Sequence, residues 1–200
     1  MTPFAAPSKR RATFLPSSRA IMASRTARRI PDRWMTRVPP HSFTTDISGG
    51  AYEDFVATML RTHAEFSLVW RDQLHFNDKA NRVRDQLRAL ERHVDRTVRW
   101  PGTLLMKGAG LATVIRYECN DSAAAILRRP RRLFGWTTPN YPEDLAFYDT
   151  DGTCALATIS HEGEGWVLSA TTLSVITRWV TTEPEEVSDD TRSILRGVIY

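Results

Sequence analysis

Between Tyr141 and Trp166 a short apolar run, an Asp-Gly pair and a second β-prone run follow one another. Leu145 to Tyr148 and Cys154 to Ser160 read as two strands, with Asp149-Thr150-Asp151-Gly152 as the turn between them. Glycine accepts positive φ without steric cost, so Asp151-Gly152 suits a tight hairpin. A second segment points the same way. Leu111, Thr113, Ile115, Tyr117 and Cys119 alternate with Ala112, Val114, Arg116 and Glu118, the period of a strand with one face on a core. Lys107-Gly108-Ala109-Gly110 supplies the bend before it.

The helices lie mainly upstream. Ser48-Gly49-Gly50 precedes a helical pattern with Glu53 and Asp54 in its first turn, where the helix dipole favours acids. Phe55, Met59, Leu60, His63 and Phe66 recur at spacings of three and four, and Phe66 to Trp70 reads as an extension of that helix or as a short strand, with helix the preferred reading. A second helix is expected from Asp78 to Arg92, with Val83, Leu87 and Leu90 as a narrow apolar stripe and its arginines on a solvated face. Val94 to Trp100 then reads as a strand stopped by Pro101-Gly102. Asn120-Asp121-Ser122 starts a short helix that Pro130 ends by removing a backbone donor. Val167 to Val180, rich in Val, Ile, Thr, Leu and Trp, is expected to hold one or two more strands.

These readings sum to an α+β fold, with N-terminal helices packed on a mostly antiparallel sheet of four to five strands. Consecutive strands late in the chain leave little room for the crossover helices of a parallel sheet. The domain is expected over residues 44–180, preceded by a basic arm (1–43) and followed by an acidic linker and short C-terminal segment (181–200). Glu183, Glu185, Glu186, Asp189 and Asp190 mark the linker, and Ile194 to Tyr200 are apolar enough to dock.

Charge separates the arm from the body. The chain is +4 overall and residues 1–40 carry +8, which leaves −4 for the remainder. A net positive charge is therefore no sign that the body binds nucleic acid. The arm reads as a disordered basic tail, a targeting segment, or an overlong start with Met22 or Met35 as the initiator. Arg10-Arg11 with Phe14-Leu15 begins like a twin-arginine export signal, but Pro16, Ser17, Ser18 and Arg19 interrupt the apolar stretch such a signal needs. Cys119 and Cys154 have no metal-ligand spacing and read as small buried hydrophobes in a reducing compartment, on different strands that can come together in space. No apolar run reaches the ~18 residues of a membrane span, so a soluble protein with no membrane partner is expected, cytoplasmic unless the arm directs it to an organelle.

Three constellations carry possible chemistry. His161, Glu162 and Glu164 follow the hairpin beside Gly163 and Gly165, and a histidine oriented by a carboxylate is a general base near neutral pH. The second histidine of a zinc protease is missing, the hairpin turn lacks the spacing of a calcium loop, and Ser160 is not in a nucleophile elbow. Neither a metal nor a cofactor is expected. Arg128, Arg129, Arg131 and Arg132 form the one dense basic patch of the body, able to grip phosphates with Trp136 as a stacking face, or to pair with the acidic run 183–190. Trp136, Tyr141, Tyr148 and Trp166 are candidate contacts for a protein partner. The leading expectation is a non-catalytic protein-interaction module of the binding or inhibitor kind. The alternatives are a hydrolase-like enzyme using His161 with Glu162 or Glu164, and a nucleic-acid binder using the arginine patch and the basic arm.

Overall fold

The computed structural model describes residues 39–186, 188 and 194, so the basic arm and most of the C-terminal segment lie outside the described residues. The fold is α+β and richer in strands than expected. The described strands are β1 (His41–Phe43), β2 (Glu65–Arg71), β3 (Glu91–Thr97), β4 (Arg99–Trp100), β5 (Thr103–Leu104), β6 (Ala112–Glu118), β7 (Glu143–Tyr148), β8 (Cys154–Ile159), β9 (Glu164–Val167) and β10 (Glu183–Pro184). Eight of them form one sheet in the order β10-β1-β9-β8-β7-β2-β6-β3, every neighbouring pair antiparallel, and β4-β5 is a separate hairpin. The helices are α1 (Gly50–Thr62), α2 (Asp78–Leu87), α3 (Asp121–Leu127) and α4 (Ala170–Ile176).

The expectation of four to five strands under N-terminal helices is thus corrected to eight strands, with helices spread along the chain. The short strands β1, β9 and β10, together with β2, supply the added strands, and two segments are misread in opposite senses. Phe66 to Trp70 is β2 and not helix: α1 ends at Thr62, and His63 is already extended (φ −119°, ψ 157°). β2 sits in the middle of the sheet with Phe66, Leu68, Val69 and Trp70 all buried, and a strand covered on both faces is a continuous apolar run that periodicity cannot tell from helix. Ala170 to Ile176 is helix α4 despite its β-branched residues, because Ser169 caps it by accepting from Thr172 N and Ile176 docks in the core. Tertiary burial overrides propensity there.

All four helices contribute to one apolar cluster with a single face of the sheet. Phe55, Val56 and Met59 (α1), Val83 and Leu87 (α2), Ile126 and Leu127 (α3) and Ile176 (α4) meet Phe43, Phe66, Leu68, Ile115, Phe147, Leu156 and Val167 of the strands. Each large side chain buried there stabilises the fold by about 1.5–3 kcal/mol before entropy is counted. The opposite face carries two smaller clusters, one around Ala146, Tyr148, Cys154, Ala157 and Leu168, the other around Val69, Trp100, Ala112 and Val114. Trp100 belongs to the β4-β5 hairpin, which therefore lies on this second face.

The Asn120 cap expected from the sequence is present, and a second one accompanies it. Asn120 accepts from Ser122 N and Ala123 N at the start of α3, and Asn77 does the same for α2. The Asp-Gly turn closes β7 to β8 with Gly152 at φ +80°. The two cysteines do not approach each other. Cys119 packs on the helix-side cluster, Cys154 lies in a cluster of the other face, and three strand spacings (about 14 Å) separate β6 from β8.

Candidate functional site

The tightest group of buried ionisable side chains lies at the start of β7, where Glu143 and Asp144 are 3% and 2% exposed. Asp144 has φ +54°, a left-handed conformation that only a few non-glycine residues adopt. Its carboxylate is fully engaged: Trp100 Nε1 donates to Oδ2 at 2.8 Å, and Ser160 N donates to Oδ1 at 3.0 Å. Burial pushes the Asp144 carboxyl up to about 6, and neighbouring Glu143 adds to that, while the two donated bonds and the charge of His161 work against it. Glu143 is met by Arg71 of β2 at 3.5 Å. Thr158 of the adjoining β8 and Ser160 just beyond its end bond to each other at 3.2 Å, and Thr158 donates to Leu145 O at 2.9 Å. Beside Arg71, an open depression of about 520 Å³ is lined by Asp72, Gln73, Gly108, Ala109 and Gly110.

The chemistry this cluster can perform follows from its closure. A carboxyl near pH 6 is poised for proton transfer, but both Asp144 oxygens accept from protein donors and the side chain has no exposed edge for a substrate. Its physical effect is to hold the β4-β5 hairpin: Trp100 is clamped to β7 through the carboxylate, and Gly102 at the hairpin tip rests near Ile159 and Trp166. Local sequence pattern does not single out this group. Its signal was a Pro-Glu-Asp run at the head of an apolar strand, which reads equally well as a turn.

Of the expected site residues, His161 and Glu162 stand on the turn after β8, their side chains 42% and 54% exposed and 3.6 Å apart. Glu164 is on β9, half-buried and opposite Ile159. The one convergence is electrostatic, since His161 acts on Asp144. Cys154 and Asp149 are at the far end of β8, about 20 Å away at the rise of a strand, so no four-residue pocket forms around His161.

Asp149 instead lies near His63. His63 Nε2 is 2.8 Å from Thr172 Oγ1 and 3.6 Å from Asp149 Oδ1, while Nδ1 faces Thr62 Oγ1 and Met59 O. Hydroxyl and carboxylate share one ring nitrogen, so the histidine cannot pass a proton from one to the other through its ring as a catalytic triad requires. Burial lowers the pKa of His63, against the pull of Asp149. The arrangement fastens α1, the β7-β8 turn and α4 together.

The arginine patch follows α3, with Arg128 half-buried and Arg129, Arg131 and Arg132 exposed. Its backbone is bonded to the segment before α1 through Gly49 N to Arg131 O and Leu133 N to Ile47 O, and Arg132 pairs with Asp46. Trp136 offers no stacking face. It is fully buried and donates to Tyr52 Oη, which donates to Leu127 O. Among the described residues none of the four arginines forms an ion pair with the acidic run, of which Glu185 instead accepts from Trp166 Nε1.

The aromatic contacts need correction. Trp136, Tyr141 and Tyr148 are core residues, 0%, 7% and 1% exposed; Tyr148 Oη bonds Ser67 and its ring is covered by the Arg116 guanidinium at 3.8 Å. Aromatic residues spaced along strands and short turns are consumed by the two-faced sheet before they reach the surface. Trp166 alone remains half-buried. Among the described residues no group of three His, Cys, Asp or Glu is close enough to hold a metal ion, and no helix is long and apolar enough to cross a membrane. No protein-family model, curated protein or solved structure matches this chain.

Proposed function

We propose that this chain is a protein-interaction module without catalysis of its own, and that the β4-β5 hairpin with the loop leading to β6 is its contact surface. One observation carries this reading. Among the described residues, the exposed large apolar side chains are Val94, Val98, Leu104, Met106 and Leu111, all within residues 94–111, with Met106 82% exposed. Scattered exposed apolar residues need no explanation, whereas four of these five, Val98, Leu104, Met106 and Leu111, stand on the β4-β5 hairpin or on the segments flanking it, a grouping with the character of a binding surface; Val94 belongs to β3.

The hairpin is held as a display element. Arg99 pairs with Leu104 and Trp100 with Thr103, so alternate side chains turn inward and outward. Trp100 and Leu105 pack on the sheet, and Leu104 turns to solvent. The buried charge of Asp144 is used to anchor Trp100, which favours an interaction role over proton transfer.

The test is affinity capture from extracts of the source cells with the full chain as bait, alongside the double variant Leu104→Asp, Met106→Asp. Both positions are exposed, so the fold is retained and is checked by circular dichroism. The reading expects a retained partner whose binding weakens by about thirtyfold or more in the variant, the loss of one central contact. Equal capture by both proteins overturns it, as does substrate turnover that His161→Ala abolishes.

A further inference from the structure

The two edges of the eight-stranded sheet are built differently. β10 is two residues long and ends in Pro184, a blunted edge. β3 at the other edge has seven residues, Glu91–Thr97, with neither proline nor glycine, and among the described residues no strand lies beyond it. Such an edge leaves a row of backbone donors and acceptors open to another strand. Its charged side chains exclude most partners, because a like charge opposite any of them is repulsive.

One partner satisfies the pattern. We propose that β3 pairs with β3 of a second copy of this chain, antiparallel, with Val94 on the two-fold axis. An isologous contact places residue i opposite j and j opposite i. Centred on Val94, this register sets His93 of each copy opposite Asp95 of the other, two complementary pairs on one face. On the other face it sets the two half-exposed Val94 side chains against each other. The faces agree with the sheet: Val94 stands opposite Ile115 of the main core, while His93 and Asp95 stand opposite Arg116 and Val114 on the second face.

Within one copy His93 Nε2 and Asp95 Oδ1 are already 2.9 Å apart, so pairing completes a ring of four side chains in which histidine and aspartate alternate. Arg92 and Arg96, which this register also brings together, are each neutralised within their own copy, Arg92 by Glu118 and Arg96 by two bonds to Asp72 at 2.9 and 2.7 Å. Arg92 is moreover the extra residue of a bulge between Glu91 and His93, out of the regular alternation. Centring one residue further on, at Asp95, would oppose two carboxylates. The charge pattern therefore selects the Val94 register.

This surface is distinct from Leu104 and Met106, and the experiment separates the two. Sedimentation of the full chain over rising concentration is expected to show a dimer. His93→Asp, which opposes four carboxylates, weakens it about tenfold or more, and His93→Asp with Asp95→His restores it. Both side chains are exposed, 60% and 47%, so the variants fold. Val94→Cys is expected to form an oxidised dimer, since opposed residues on the axis have Cα atoms about 4.5–5.5 Å apart, within disulfide reach; Val98→Cys is not. A monomer at every concentration overturns the proposal. A dimer indifferent to His93→Asp but lost with Leu104→Asp, Met106→Asp also overturns it, and assigns association to the hairpin.

Discussion

Asp144 and His63 are both buried, and burial moves them in opposite directions along the pH axis. The Asp144 carboxyl is raised from 3.8 to about 6, so between those values the folded chain binds a proton that the unfolded chain does not. Its contribution to stability is fully present below 3.8 and is lost as pH rises through about 6. His63 is lowered from 6.5, so the unfolded chain binds the extra proton, and its contribution is present above 6.5 and lost as pH falls. Urea unfolding of Asp144→Asn is therefore expected to lose the part of the wild-type curve in which stability falls from about pH 4 to 6.5, leaving the acid loss from His63 dominant. His63→Gln tilts the curve the other way. Asparagine has one acceptor oxygen for two converging donors, so Asp144→Asn is also less stable near pH 5, by about 1–3 kcal/mol. An Asp144→Asn curve parallel to wild type would remove Asp144 from this role.

At the scale of elements, the β4-β5 hairpin is tied to β7 through the Trp100–Asp144 bond. Trp100→Phe keeps an aromatic ring in the second-face cluster but removes the Nε1 proton that Asp144 accepts. The carboxylate then retains only Ser160 N. Hydrogen exchange at residues 98–105 is expected to rise by about tenfold or more with little change in β7 and β8; unaltered exchange at 98–105 would mean that packing alone holds the hairpin. The same element shows why part of the fold was legible and part was not. β6, the β7-β8 hairpin and the Asn120 cap announce themselves through period-two alternation, an Asp-Gly turn and a short polar side chain at a helix start, all local signals. β2 has no local signal that distinguishes it, because burial on both faces decides its form; α4 has one, the Ser169 cap, which its β-branched run masks until Ile176 docks in the core. Pro101-Gly102 reads as the end of a strand, and only the sheet beneath makes it the tip of a hairpin. His161 stands out in the sequence as a polar strand end, but Asp144, the buried acid on which its charge acts, meets it only where β7 and β8 lie side by side.

Across the whole molecule, one close contact decides whether the sheet has eight strands or six. Among the described residues β10 pairs only with β1, and the only other strand that β1 pairs with is β9, where Phe43 lies opposite Gly165. A Cβ added at Gly165 would stand 2.2 Å from Phe43 Cζ and 2.6 and 2.7 Å from the two Cε atoms, closer than any real contact. The glycine is required there for space rather than for its backbone freedom. Phe43 is also a member of the main cluster and stacks on Phe134 with ring centroids 6.0 Å apart, so displacing it disturbs the core as well as the sheet. Gly165→Ala is expected to cost about 1–3 kcal/mol, the range of an overpacked core, and to expose β1 and β10 to exchange together. Phe43→Leu removes the clashing ring atoms. In the alanine background it should recover part of the loss, although alone it destabilises by opening a void. A double-mutant cycle measures this directly: a coupling of about 1 kcal/mol or more is expected for residues in contact, and a coupling near zero would mean that β1 is held by other bonds and that the sheet does not depend on this glycine.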